Sequence, residues 1–281
     1  MLAFNNMNQR PHNEQIAQRQ IFLEYRKNRD VPLGMAMSFR DAGFRVYSQV
    51  DEDGLLLYLF SLIGFTNRTL VDIAFATPEG ANTTNLLCNW GFNGLLLEGD
   101  AAKVEKGREF FKDNPDTFIV PPTILQKWVT VENFNSILLA NGISGEIDLF
   151  SLDVDGNDYW IWDKLTAIHP RVVIVEAQTC WGRDRAVSIP YQPAFNRFAI
   201  HLDYFGASVP AFMKLARKKG YRPVACNRFG FNIIFVRQDI PGAALLPEIS
   251  TEECFRFETP ELQKMREEKL REIMGFEWIE V

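Results

Sequence analysis

The chain lacks the marks of several large protein classes. Its 281 residues contain no apolar run close to the roughly twenty residues of a membrane span, and no leader-type apolar segment near residue 1. Only four cysteines are present, and Cys88, Cys180, Cys226 and Cys254 form no CxxC pair. The spacing therefore indicates neither a zinc knuckle nor a redox dithiol. We expect a cytoplasmic protein with reduced thiols and no membrane partner.

An excess of positive charge is also missing. The formal net charge is −6, so the surface as a whole repels a phosphate backbone. The two basic stretches, at 19–29 and 214–222, carry apolar residues at helical spacing and are typical of solvated helix faces. We expect no nucleic-acid partner.

The composition is that of a globular protein, with 47% hydrophobic and 23% charged residues. Aromatic residues reach 13%, and core packing explains most of such an excess. A ligand cleft, or a subunit interface in a homo-oligomer, is the alternative. We predict an N-terminal helical extension at 1–64, one Rossmann-like domain at 65–245 and a C-terminal helical tail at 246–281.

Buried strands and helices alternate through the middle of the chain. Apolar runs predict strands at 69–76, 94–100, 116–122, 146–156 and 171–178, with helices between them. Two further strands, at 221–230 and 232–239, are joined too tightly to be parallel. The prediction is an α/β fold with a mostly parallel sheet and a terminal antiparallel hairpin. This is the plan of the class I S-adenosylmethionine-dependent methyltransferases.

Glycines are missing where a nucleotide-binding chain normally has them. The stretch VDIAFATPEGANTTNLL (71–87) places Ala74, Ala76 and Pro78 after the first strand. Alanine in a left-handed conformation costs about 1 to 2 kcal/mol. Thr77, Pro78 and Glu79 have the pattern of a helix N-cap, a first-turn proline and an acidic second residue, which predicts an early helix start. We expect the turn still to hold a cofactor, and loss of binding is the alternative.

Carboxylates follow four of the predicted strands. Ligands of open parallel sheets bind at the carboxyl ends of strands, so these residues are candidate site residues: Asp72, Glu98, Asp153, Asp155 and Glu176. Glu98, at the end of the second strand, is placed to accept both hydroxyls of a ribose. A surface carboxylate before a helix is the alternative.

The segment FSLDVDGNDYW (150–160) holds two carboxylates at strand spacing. Period-two geometry points Asp153 and Asp155 the same way, and Gly156 permits a sharp turn. Such a pair repels unless a cation, a donor or a proton lies between its members. Mg²⁺ held by Asp153 and Asp155 is one prediction. In the metal-free version, which we favour, Asp155 is the general base. Simple capping of the next helix by Asn157 or Asp158 is the third possibility.

Histidine offers one further candidate. His201 follows a long loop, and its ordinary pKa near neutrality suits a general base that shares proton transfer. His169, before a proline, is predicted to be structural, and His12 lies in the N-terminal extension.

Several strings together resemble the FkbM-type methyltransferases. They are Tyr47-Ser48-Gln49, Glu52-Asp53-Gly54, LDVDGNDYW (152–160), YFGAS (204–208) and NIIFVR (232–237). The resemblance spans 46–239. It implies S-adenosylmethionine as methyl donor and a hydroxyl of a sugar or other small metabolite as acceptor.

The resemblance also implies positions for the cofactor. It places Gln49, Asp72, Asn82 and Glu98 around S-adenosylmethionine, with Asp153 and Asp155 between cofactor and acceptor. Ala74 and Thr77 belong to the same cofactor turn. Related O-methyltransferases bind a divalent ion through carboxylates that correspond to Asp155 and Glu176.

Two other functions compete with methyl transfer. Asp-x-Asp after an apolar strand also suits a Mg²⁺-dependent sugar-nucleotide transferase, and a decayed cofactor turn suits a non-catalytic binding or scaffold protein. Three βα units with an acidic end to the second strand favour the methyltransferase.

Overall fold

The computed structural model describes residues 13–31, 35–243 and 246–281. A seven-stranded sheet has the order β3-β2-β1-β4-β5-β8-β7. Its strands are β1 (Thr69–Ile73), β2 (Asn93–Glu98), β3 (Thr123–Gln126), β4 (Gly145–Leu152), β5 (Ile168–Glu176), β7 (Tyr221–Cys226) and β8 (Asn232–Arg237). The short strands β6 (Val187–Ser188) and β9 (Ile279–Glu280) pair in a second sheet.

Helices occupy most of the connections. They are α1 (Asn13–Arg26), α2 (Phe39–Ala42), α3 (Glu52–Ile63), α4 (Thr84–Asn89), α5 (Ala101–Asp113), α6 (Phe134–Ala140), α7 (Asp158–Lys164), α8 (Arg197–Ile200), α9 (Val209–Lys218) and α10 (Pro260–Ile273). No helix in the described ranges is long and apolar enough to cross a membrane. His12 lies outside the described residues, as do residues 32–34.

The strand directions confirm the predicted fold class. β1 pairs in parallel with β2, and β2 with β3. β8 is antiparallel to both β5 and β7, which makes the terminal hairpin. The sheet is therefore mostly parallel and closed by an antiparallel hairpin, as in the class I methyltransferase fold.

The third strand lies later in the chain than the sequence predicted. The predicted strand at 116–122 is a series of turns and bends, and β3 begins at Thr123. Asn114 explains the difference, because its carbonyl accepts from the Thr117 and Phe118 amides and its side chain accepts from the Asp116 amide. Those bonds hold the backbone in a turn, and the apolar residues after it face solvent.

The chain divides into two compact units. The N-terminal unit comprises 1–128 and 147–151, and the C-terminal unit comprises 129–146 and 152–281. The predicted boundaries at residues 64 and 245 stay a prediction.

In the N-terminal unit, helix α1 of the extension is hydrogen-bonded to helix α4. Gln18 is 3% exposed and exchanges two 3.1 Å hydrogen bonds with the Asn85 side chain on α4. Its Oε1 also accepts from the Trp90 indole at 2.9 Å. A buried amide with all these partners positions α4 firmly.

Helix α3 starts against the loop that precedes it. The Asp53 carboxylate accepts from the backbone amides of Val46, Tyr47 and Ser48 at 2.7 to 2.9 Å. Burial raises the pKa of Asp53, and these amide donors oppose the shift. Next to it, Gly54 has no room for a side chain, because a Cβ would lie 2.3 Å from the Ala42 carbonyl oxygen and 2.3 Å from the Phe44 amide.

In the C-terminal unit, the tail packs on its own core. Ile273 of α10 joins a buried cluster with Cys180, Ile189, Phe195 and Tyr204. Beyond the helix, β9 pairs with β6, and the Tyr204 hydroxyl donates to the Glu277 carbonyl at 2.6 Å. The tail is thus fastened at its C-terminal end.

Gly54→Ala tests the close approach at the start of α3. The methyl group would overlap backbone atoms that cannot move aside, so we expect a loss of about 2 to 3 kcal/mol in the free energy of unfolding, measured with urea. Gly275→Ala is the matched control, since a Cβ there meets nothing within 4 Å. Equal stability of the two variants would show that the loop before α3 adapts.

Candidate functional site

The turn after β1 is held in a strained conformation. Ala74 and Ala76 have φ values of 59° and 54°, in the left-handed region that favours glycine. The Ala74 amide donates to the Leu97 carbonyl at 2.7 Å, which fixes the start of the turn against β2. The two alanines therefore occupy positions where the backbone asks for glycine.

The helix after this turn starts later than the sequence predicted. α4 begins at Thr84, and the Thr77 hydroxyl donates to the Glu79 carbonyl instead of capping a helix. The reason lies at Gly80, whose φ is 103° and whose amide donates to the Tyr47 carbonyl at 2.6 Å. The predicted helix start at Thr77 is wrong. Glu79 is exposed and faces Lys106 at 3.3 Å.

Glu98 is built into the same turn. It is 7% exposed, and its carboxylate accepts from the Ala76 amide at 3.0 Å and from the Asp100 amide at 2.8 Å. The two bonds fall on different oxygens, so each oxygen retains a lone pair for a further donor. The predicted ribose carboxylate is thus oriented by backbone and still able to accept.

Two further predicted cofactor residues lie beside it. Asp72 is 2% exposed and accepts from the Thr83 hydroxyl at 2.5 Å. Burial raises the pKa of Asp72 to about 7, and the nearby charge of Glu98 adds to the shift. Asn82 is 7% exposed, and its Oδ1 has no hydrogen-bond partner among the described residues. A buried carbonyl oxygen without a donor is costly, so a hydrogen-bond donor of a ligand would fit at this position.

Gln49 also borders the turn. Ser48 forms a bridge with Gly80, and a Cβ on Gly80 would lie 3.7 Å from the Gln49 side chain. The structure thus brings Gln49, Ala74, Thr77 and Glu98 to one turn region in the N-terminal unit.

Sequence reasoning missed one residue of this region. Trp128 follows β3 and is 54% exposed. A Cβ on Gly99, the residue after Glu98, would lie 3.0 Å from the indole ring, so the tryptophan covers this glycine. The sequence pattern contains no signal for this residue, because the predicted third strand ends at residue 122 and the observed one ends at Gln126. An exposed aromatic face at this point suits a flat ligand ring.

In the C-terminal unit, three predicted carboxylates come together. One oxygen from each of Asp153, Asp155 and Glu176 lies within 4.8 Å of the others. The predicted cause, strand spacing, is wrong because β4 ends at Leu152. Asp155 turns the chain with a φ of 54°, and Gly156 is needed because a Cβ there would lie 2.4 Å from the Phe195 ring.

The Asp153 and Glu176 carboxyls share a hydrogen bond. Burial raises the pKa of Asp153 well above its usual range, and the charges of Glu176 and Asp155 add to the shift. Burial also raises the pKa of Glu176 to about 7, with the Asp155 charge next in size and the Asp153 hydrogen bond opposing it. Asp153 therefore keeps its proton and donates a hydrogen bond to the Glu176 carboxylate.

The other two acidic residues of this segment are occupied. Asp155 forms a 2.6 Å ion pair with Arg197. Asp158 accepts from the Val154 and Gly156 amides at 2.7 and 2.9 Å, while burial raises its pKa to about 6. Asp158 therefore holds the loop, and the Asn157 side chain makes no helix-capping bond.

Glu176 opens onto a cavity of about 600 Å³ inside the C-terminal unit. Its walls come from the segment after β5, the loop near α8, the β7–β8 turn and α10. They are formed by 176–180, Arg197, Leu202, Asp203, Phe205, 228–229, Phe231, Cys254, 257–258, Leu262, 265–266 and Lys269. We call this the tail cavity.

His201 belongs to a different group from the acidic residues. Its Nε2 lies 3.4 Å from a Glu272 oxygen, and its Nδ1 accepts from the Asp203 amide at 3.2 Å. Both ring nitrogens thus face groups near the C-terminal tail. His169 is exposed, and its carbonyl accepts from Arg237.

Comparisons with known proteins identify structures of similar plan. No family model matches the chain, and no curated protein matches its sequence. Magnesium protoporphyrin IX methyltransferase from Synechocystis PCC 6803, with bound SAM, is 11% identical over 66% of this chain and 77% of that chain, with a TM-score of 0.41. The N-terminal domain of EvdMO1 with SAH bound is 12% identical over 80% and 96%, with a TM-score of 0.42.

A further similar structure is mitomycin 7-O-methyltransferase, which is 19% identical over 60% of this chain and 48% of that chain, with a TM-score of 0.36. The fold assignment rests on the strand order of the seven-stranded sheet.

Ala74→Gly and Ala76→Gly test the strain in the turn. Relief of about 1 to 2 kcal/mol outweighs the entropy that glycine adds to the unfolded chain, so each variant should gain up to about 1 kcal/mol of stability. Ala81→Gly, in the same turn but without a left-handed backbone, should lose stability instead. Thermal unfolding measures all three, and destabilisation by all three would contradict the strained geometry.

Proposed function

We propose that this chain is an S-adenosylmethionine-dependent methyltransferase that methylates a hydroxyl group of a small molecule. The N-terminal unit would bind the cofactor and the C-terminal unit the acceptor. The observation that carries the proposal is Glu176, a carboxylate with a pKa near neutrality on the wall of a cavity, in a chain with the class I methyltransferase strand order.

The residues of the N-terminal unit fit this cofactor. Glu98 has lone pairs left for ribose hydroxyls, and the buried Asn82 Oδ1 lacks a donor that an ammonium group would supply. Trp128 presents an aromatic face for an adenine ring. Gln49 and Asp72 would complete the pocket. When bound, S-adenosylmethionine would supply a methyl group on its sulfonium sulfur.

Glu176 is the residue we assign as general base. Asp153 stays protonated and donates to Glu176, so Glu176 carries the charge that accepts a hydroxyl proton. Asp155, the base that the sequence favoured, is paired with Arg197 and serves to hold that arginine. His201 needs no role in proton transfer, since its ring contacts the tail.

We also propose that the chain belongs to the FkbM-type branch of these enzymes. Support comes from the sequence segments that resemble this family, because two of their acidic residues hold loops in place. Asp53 holds the loop before α3, and Asp158 holds the loop after β4. A sugar hydroxyl is one acceptor that this branch implies.

A non-catalytic binding protein is the second candidate, and the left-handed alanines favour it. Residues held at a strained φ reduce the stability of the empty turn, and they weaken the binding of a ligand that requires glycine at these positions. The two candidates differ in whether the turn binds the cofactor at all.

Calorimetric titration with S-adenosylhomocysteine separates them. Wild type should bind, and Glu98→Ala should lose about 1.5 to 3 kcal/mol of binding free energy through its charge-assisted bonds. Trp128→Ala should lose about 1 to 3 kcal/mol of stacking. Glu105→Ala, exposed on α5, is the control. No binding to wild type at millimolar ligand would support the non-catalytic candidate.

The role of Glu176 predicts a pH profile. A base works only when deprotonated, so kcat/KM should rise tenfold per pH unit below about pH 7 and level off above it. Glu176→Gln should lower kcat by about 10² to 10⁴ and leave S-adenosylhomocysteine affinity within twofold. The assay follows S-adenosylhomocysteine formation with an acceptor found by screening hydroxyl compounds. Glu277→Gln, exposed in the same unit, should behave like wild type, and a flat profile from pH 5 to 8 would exclude Glu176 as the base.

A further inference from the structure

We propose that the tail cavity binds an uncharged acceptor whose body is an apolar ring system, with helix α10 as the part of the chain that selects it. The inference rests on the proposed function where it calls the occupant an acceptor. The chemistry of a ligand that fits the cavity follows from the residues that line it.

The mouth of the cavity is apolar. Four of its lining side chains are large, hydrophobic and between 43% and 60% exposed: Leu202, Phe229, Phe257 and Met265. They come from three separate segments of the chain, so their position around one cavity is not a property of a single amphipathic helix. Exposed apolar groups gathered at a cavity mark a surface that an apolar ligand covers.

Three of the four cations that line the cavity are paired with carboxylates. Arg266 pairs with Glu258 at 2.6 Å, Lys269 with Asp203 at 2.6 Å, and Arg197 with Asp155 at 2.6 Å. Arg228, the fourth cation, is also engaged in an interaction. An ionic ligand would have to break one of these pairs and leave its partner uncompensated. A neutral ligand avoids that cost.

The carboxyl groups at the Glu176 end of the cavity also disfavour an anionic ligand. Glu176 lines the wall, and Asp153 and Asp155 lie within 4.8 Å of it. A phosphate or carboxylate placed there would meet like charge, whereas a hydroxyl can donate to a carboxylate. The acceptor therefore presents a neutral hydroxyl at this end and its apolar body toward the mouth.

The walls are held in place. A Cβ on Gly230, between Phe229 and Phe231, would lie 1.7 Å from the Cys254 carbonyl oxygen, so the β7–β8 turn packs directly on the segment before α10. Helix α10 is anchored beyond the cavity by Ile273 and by the β6–β9 pairing. A volume of about 600 Å³ is ample for a bicyclic ring compound.

The test measures binding without the cofactor. Titration of the full chain with 1-naphthol, 1-naphthyl phosphate and methyl glucoside should show at least tenfold tighter binding of 1-naphthol. Met265→Trp fills the mouth and should weaken 1-naphthol binding at least tenfold. Met274→Trp, on the same tail but outside the cavity lining, should change it less than twofold. Tighter binding of the phosphate or the glucoside, or equal effects of the two methionine variants, would overturn the inference.

The outcome is separable from that of the proposed function. Binding of 1-naphthol that Met265→Trp abolishes, in a chain that does not bind S-adenosylhomocysteine, would keep the cavity assignment and reject methyl transfer. Methyl transfer to a sugar that Met265→Trp leaves unchanged would keep the proposed function and reject the cavity assignment.

Discussion

The structure depends on how buried carboxylates at loops and strand ends are compensated. Four of them accept backbone amides and thereby hold loops in place: Asp53, Glu98, Asp148 and Asp158. Asp148, fully buried, takes amides from three consecutive residues at 66–68. A buried charge with several amide donors is stable, and the loop that supplies the donors has one conformation. The turn at Glu98 and the loop at Asp158 are fixed in this way.

Three other buried carboxyls have side-chain partners instead. Asp153 and Glu176 have each other as partners, and Asp72 has hydroxyl donors, so burial raises the pKa of all three. A carboxyl that exchanges a proton near neutral pH suits acid–base chemistry, and Glu176 does so on the wall of the tail cavity. Burial raises the pKa of the amide-bound Asp53 and Asp158 as well, so the position of Glu176 on the cavity wall, rather than its kind of hydrogen-bond partner, distinguishes it as the proposed base.

Much of the fold follows from the alternation of buried strands with helices, and the hairpin from the short link before β8. β3 was misplaced because the side chain and carbonyl of Asn114 impose a turn on residues of high strand propensity. The acidic residues were found from their positions after strands, but their tasks depend on distant amide donors that a local pattern does not reveal. The left-handed φ of Ala74 is equally hidden, since alanine gives no sign of it. The tail cavity could not be predicted from the sequence, because residues far apart in the chain form its walls.

The proton held by the Asp153–Glu176 pair is the central claim, and infrared difference spectroscopy tests it directly. The spectrum of wild type between pH 5 and 9 should contain protonated-carboxyl C=O bands of Glu176 and Asp72 that disappear as pH rises through about 7, and Glu176→Gln should lose the Glu176 share of that transition and keep only the Asp72 share. A Glu176 carboxyl that is fully ionised by pH 5, with no difference between wild type and the variant, would contradict the account.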